Sequence, residues 1–91
     1  MPSEKQKQRL KLRAINKRKA AARDGYACRH CGVATWPMDV HHVIHLGRGG
    51  SEAVDNLVTL CRTHHAQCHT QEPYLYVRFQ DGDFQFSREK F

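Results

Sequence analysis

The sequence predicts a small single domain of the α+β class, held together by a structural zinc ion. Three observations carry that class: a basic segment rich in helix formers, two Cys/His knuckles far apart in the chain, and short β-branched or aromatic runs separated by Gly-containing turns. With 91 residues the chain supports one domain at most. So short a chain buries a thin core and needs an added staple. Four Cys and seven His supply the means for one.

The elements follow in order. Residues 4 to about 23 are strong helix formers without Pro or Gly, with Leu12, Ile15 and Ala22 as a weak apolar stripe and Gly25 as the stop. "CRHCG" is a tight knuckle closed by Gly32. Residues 38 to 44, "MDVHHVI", read as a strand, "HLGRGGSEAVDN" as a loop and "LVTL" as a second strand. "CRTHHAQCHTQ" reads as a short helix stopped by Pro73. "YLYVRFQDGDFQF" alternates around Asp-Gly, which signals a β-hairpin. The chain thus divides into a basic N-terminal helix (1–25), a core with the knuckles (26–72) and a C-terminal hairpin (73–91). Tyr74, Tyr76, Phe79, Phe84 and Phe86 of the hairpin are expected to supplement the core rather than stack on bases.

The net charge of +6 is concentrated. Lys5, Lys7, Arg9, Lys11, Arg13, Lys17, Arg18, Lys19 and Arg23 crowd the first helix, opposed there only by Glu4 and Asp24. Such a segment attracts a polyphosphate backbone through counterion release. No apolar segment follows Met1, which predicts neither signal peptide nor membrane span and a cytoplasmic protein. In a reducing compartment, paired cysteines read as metal ligands rather than disulfides.

Cys28-x-x-Cys31 and Cys61-x-x-His64 make two knuckles of two ligands each, the number a closed tetrahedral zinc site takes. Cys68 competes with His64 for the fourth place. On a continuous helix, however, positions 61 and 68 lie about 10 Å apart along the axis, whereas two thiolates on one zinc must approach within about 4 Å. The expected set is therefore Cys28, Cys31, Cys61 and His64, with Cys68 a free buried thiol and His30 an exposed turn residue.

A second set of imidazoles remains. His65 and His69 share a helix face at i, i+4, and His64 is turned about 100° away, so adjacent histidines can serve different metals. His41 and His42 likewise point to opposite faces of a strand. If His41 joins His65 and His69, three protein ligands leave open positions, as a catalytic metal requires.

The stretch "VHHVIHLGRGGSEAVDNLVTLCRTHHAQCH" resembles the motif of the HNH endonucleases, the ββα-metal or His-Me finger family. Its elements are His41-His42, Gly49-Gly50, Asp55-Asn56-Leu57, and Leu60-Cys61-x-x-His64-His65 with His69, over about residues 28 to 69. The all-histidine metal set is similar to that of the colicin-type DNases, where many other relatives carry Asp at the position of His41. The resemblance implies a ββα-metal core with His41, His65 and His69 as ligands of a catalytic divalent metal. It implies His42 as general base, Asn56 as the residue holding the His42 segment in place, and DNA as substrate, cut to a 5′-phosphate and a 3′-hydroxyl. Imidazole ligation favours Zn²⁺, Ni²⁺, Co²⁺ or Mn²⁺, with Mg²⁺ able to support turnover if phosphate completes its shell.

Three positions stay open at this level. His45, where relatives often have Pro, is expected to be a loop residue without a catalytic part, contact with phosphate being the other reading. Arg48 is either a clamp on the scissile phosphate or an exposed turn residue, and Arg62 could meet the backbone in the same way. One site per chain implies nicking by a monomer or weak dimer. Small stand-alone members resemble phage-encoded factors, so packaging or DNA-processing proteins are expected partners. A non-catalytic zinc module that binds nucleic acid is the alternative; it would have no use for His41, His42, Asn56, His65 and His69 together.

Overall fold

The computed structural model describes residues 3–91, and of Arg9 the backbone alone; the first two residues of the expected N-terminal segment lie outside it. Helix α1 runs Glu4–Arg23. It opens on a capping box, Ser3 Oγ accepting from the Gln6 backbone N–H at 3.2 Å and Gln6 Oε1 accepting from the Ser3 N–H at 2.8 Å. It closes through Asp24 into Gly25 at φ 68°, the left-handed conformation a glycine stop supplies.

The expected apolar stripe of α1 is not its buried face. Leu12 and Ile15 are about half exposed, whereas Ala20 and Ala21 are buried. The reason is that only the last turns of the helix meet the body of the protein. There Arg23 donates to the carbonyls of Val54 and Leu57 at 2.7 and 2.6 Å, and alanine lets the two backbones approach. The fully buried Asp24 carboxylate accepts from the Thr59 N–H at 2.9 Å and pairs with Arg23 and Arg29.

Strands β1 (Met38–His42) and β2 (Leu57–Cys61) pair antiparallel, with His41 opposite Val58 and His42 opposite Leu57. β1 ends two residues short of expectation because Asn56 captures its continuation: the Val43 N–H donates to the Asn56 carbonyl and the Ile44 N–H to Asn56 Oδ1. β2 is covered on both faces, and Leu57, Val58, Thr59 and Leu60 are each 0 % exposed, which explains an apolar run without alternation. Val58 and Leu60 pack with Cys28, Met38 and Phe84 as the core.

Helix α2 spans Arg62–Gln67, with Cys61 as its N-cap. It stops well before Pro73 because the chain tightens, the Thr70 and Gln71 N–H groups both donating to the Ala66 carbonyl. Strands β3 (Tyr76–Gln80) and β4 (Asp83–Ser87) form the expected hairpin, with Asp81 and Gly82 both at positive φ in a two-residue turn. Phe84 is buried and Phe79 and Phe86 pack against the core, while Tyr74 stays exposed. The α+β class is borne out. Among the described residues, no helix is long and apolar enough to cross a membrane.

Candidate metal centres and active site

The Cys28–Cys31 turn follows α1, and Cys61 and His64 sit at the end of β2 and one turn into α2. The Arg29 N–H donates to the Thr59 carbonyl at 2.9 Å, which seats the first knuckle against β2 and so beside the second. His64 Nδ1 lies 3.2 Å from Cys61 Sγ and 3.7 Å from Cys28 Sγ, and Cys31 Sγ is 4.0 Å from Cys61 Sγ. Bonds of about 2.1–2.3 Å to a tetrahedral zinc would place neighbouring donors roughly 3.4–3.8 Å apart, so the set fits that ion.

The electrostatics agree. Burial pushes the Cys28 thiol up, but backbone N–H groups of Cys61, Cys31 and His30 aimed at its sulfur hold it below the ordinary cysteine value. Burial and the Cys28 sulfur push Cys31 up, a repulsion that a cation among the thiolates would relieve. Burial, His30 and Arg88 hold His64 low, leaving it a neutral donor. Cys68 stands outside the set, its thiol pushed up to about 11 by burial and the Cys28 sulfur. His30 is exposed and leans on the His64 and Phe86 rings at 4.7 and 4.8 Å.

The second cluster joins β1 to α2. His41, His65 and His69 offer one nitrogen each, all within 4.8 Å of one another, and His65 Nε2 and His69 Nε2 are 3.0 Å apart. His69 lies just beyond the end of α2, yet the turn keeps it on the face of His65. Burial and the neighbouring imidazoles of His65, His69, His42 and His45 push His41 down to about 3, so its ring is a neutral donor at physiological pH.

Asp39, which sequence reasoning missed, fixes His65: its carboxylate accepts from Nδ1 at 3.0 Å and leaves Nε2 free for a metal. Strand alternation was the available signal, since Asp39 shares a face of β1 with His41.

His42 turns to a different partner. Its Nε2 lies 3.3 and 3.2 Å from the two carboxylate oxygens of Glu52, whose side chain is 9 % exposed. A carboxylate only accepts, so Nε2 carries the proton and Nδ1 keeps its lone pair. Glu52 also escaped sequence reasoning, because a Glu in a polar loop carries no local mark of function. Two features build its loop. Asn56 Nδ2 donates to the Ile44 and Ser51 carbonyls at 3.0 and 2.8 Å. Gly50 passes so close to the Ile44 carbonyl that a Cβ would lie 1.8 Å from its oxygen.

A cavity of about 770 Å³ opens beside these groups, lined by His41, His42, His45, Arg48 and His69 among others. His45 accepts from the Gly47 N–H through Nδ1 at 3.1 Å. Arg48 is exposed on the cavity wall. Arg62 is exposed at the first position of α2 and lines neither histidine cavity. A second cavity of about 260 Å³ lies between the histidines and α1, with Arg13 and Lys17 in its wall.

Residues 28–73 match a family model described as HNH endonuclease. No curated protein and no solved structure matches the chain significantly.

Proposed function

The chain belongs to the HNH endonuclease family, and on that premise we propose that it is a metal-dependent DNA endonuclease that nicks with low sequence specificity. The observation that carries the reading is the convergence of two differently built imidazole sites on one cavity. His41, His65 and His69 line the cavity of about 260 Å³ beside α1 with their donor nitrogens close together, and His42, in the same wall, is turned to a carboxylate instead.

In this reading Cys28, Cys31, Cys61 and His64 hold a structural zinc, and His41, His65 and His69 hold a second divalent ion (Zn²⁺, Ni²⁺, Co²⁺, Mn²⁺ or Mg²⁺). When bound there, such an ion would supply Lewis acidity to the phosphate under attack. His42 takes the proton of the attacking water on Nδ1, while Glu52 accepts from Nε2 and fixes the ring. Asn56 positions the chain immediately after His42. Arg48 meets the phosphate from the cavity wall, and Arg62 is left to contacts away from the reacting atoms. Water adds to phosphorus as the bond to the 3′ oxygen breaks, and the departing alkoxide takes a proton from solvent, giving a 5′-phosphate and a 3′-hydroxyl. A monomer with one site cuts one strand. Reduced thiols suit an intracellular setting, in which phage packaging or other DNA-processing proteins are the proposed partners.

The test is supercoiled plasmid with each metal, beside His42→Ala. Nicking that depends on added metal and falls by orders of magnitude in His42→Ala is expected. No cutting of DNA with any metal would leave the non-catalytic binding module in its place.

A further inference from the structure

The inner face of α1 changes character along its length. Where it packs on the body it presents Ala20 and Ala21, buried at 0 and 6 % exposure. Roughly one and two turns earlier, the same face presents Lys17 and Arg13. Both line the cavity whose other walls include His41, His42, His45 and His65. Basic residues on a surface helix ordinarily face water, but these two face a chamber of imidazoles.

That chamber lacks the charge to balance them. The carboxylate in its wall is Asp39, taken by His65 at 3.0 Å. Glu52, behind His42 rather than in the wall, is taken by that ring at 3.2 Å. Arg13 reaches Glu52 only at 3.9 Å, and Lys17 has no ion pair among the described residues. Arg48 adds a further cation to the neighbouring cavity. The helix is also no loose tail: Asn16 donates to the Glu52 carbonyl at 2.8 Å and Arg23 to two carbonyls near β2. The helix that carries the two cations is therefore docked before any ligand arrives, so binding does not have to order its backbone.

We propose that Arg13 and Lys17 each bind a phosphodiester beside the scissile one, so that α1 forms a wall of the active site and the nucleic-acid strand passes between this helix and the histidines. The proposal rests on the endonuclease reading and sharpens it. Of the nine basic residues of α1, two make the contact at the site, and the outward-facing ones add only diffuse attraction.

The experiment measures binding of a fluorescent DNA duplex to the full-length His42→Ala protein by anisotropy, across a range of salt concentrations. Adding Arg13→Ala and Lys17→Ala should weaken binding about tenfold and flatten the log–log salt slope by about 1.8, the value for two lost phosphate contacts. Lys17→Ala alone, which leaves the Arg13–Glu52 pair intact, should give about half that change in slope. Arg13→Lys with Lys17→Arg should keep the parent slope. Lys11→Ala with Arg18→Ala removes equal charge from the exposed outer face and should change the slope far less. Equal effects from the two alanine pairs, or an unchanged slope for the inner pair, would overturn the proposal while leaving the endonuclease reading intact. A parent protein that binds no DNA would overturn both.

Discussion

His42 and Glu52, ten residues apart, meet side chain to side chain, Nε2 lying 3.2 and 3.3 Å from the carboxylate oxygens. Asn56 closes the loop that makes this possible by bonding to Ile44 and Ser51, one on each arm. Under the proposed endonuclease reading, the pair sets which nitrogen of His42 takes the proton, and Glu52 is a positioning residue.

Glu52→Ala should lower the nicking rate constant about 100-fold, the scale of a misplaced base, with little change in KM. Glu52→Gln should lose less, since its amide oxygen still accepts from Nε2. Single-turnover nicking checks this. An equal loss in both variants, or a loss appearing mainly in KM, would remove Glu52 from the base.

Two metals of different kinds should be separable by analysis of metal content. The purified protein should retain a tightly held zinc, and Cys28→Ser or His64→Ala should lose it together with cooperative unfolding. Cys68→Ser should retain it. With saturating divalent ion, His41→Ala should bind one ion fewer per chain and keep the fold. Loss of the zinc in Cys68→Ser would show the four-ligand set to be wrong.

Asn56→Ala removes three side-chain hydrogen bonds that hold the loop on β1. Thermal unfolding should show a loss of about 2–3 kcal/mol, given three part-buried bonds that each contribute about 1 kcal/mol. Asn56→Asp should be at least as harmful, because it loses both donors and sets a carboxylate against two carbonyls. A variant as stable as the wild type would mean that the loop holds without this residue.

Asp24 should make stability acid-sensitive. Burial alone would push its carboxyl up, but the Arg23 and Thr59 hydrogen bonds outweigh this and hold it below the ordinary value of 3.8. A depressed carboxyl contributes stability that is present above its unfolded value and lost as pH falls through the lower folded one. Asp24→Asn should therefore cost about 2 kcal/mol at neutral pH, with the difference from wild type shrinking only below about pH 4. Denaturant unfolding at pH 7 and pH 3 measures it; a gap that widens toward acid would contradict the assignment.

Much of this protein was legible in local signals. Propensity and a glycine stop marked α1, the Asp81-Gly82 turn marked the hairpin, and knuckle spacing marked which cysteines and histidines could share a cation. These work because each depends on neighbours within a turn or two. The stripe of Leu12 and Ile15 misled for the complementary reason. Helical periodicity says which residues share a face, but not how much of that face the rest of the protein covers.

What only the tertiary structure decided is which charges meet. Asp39 with His65, Glu52 with His42, and Arg13 and Lys17 over the histidine cavity all join residues from separate elements. They depend on the docking of α1 through Arg23 and Asp24 and on the path of the loop around Asn56. Composition, spacing and the family motif marked two sets of side chains able to ligate a metal, and a basic helix. Long-range packing decided that the helix is a wall of the second set's cavity, because electrostatic partners act across space and not along the sequence.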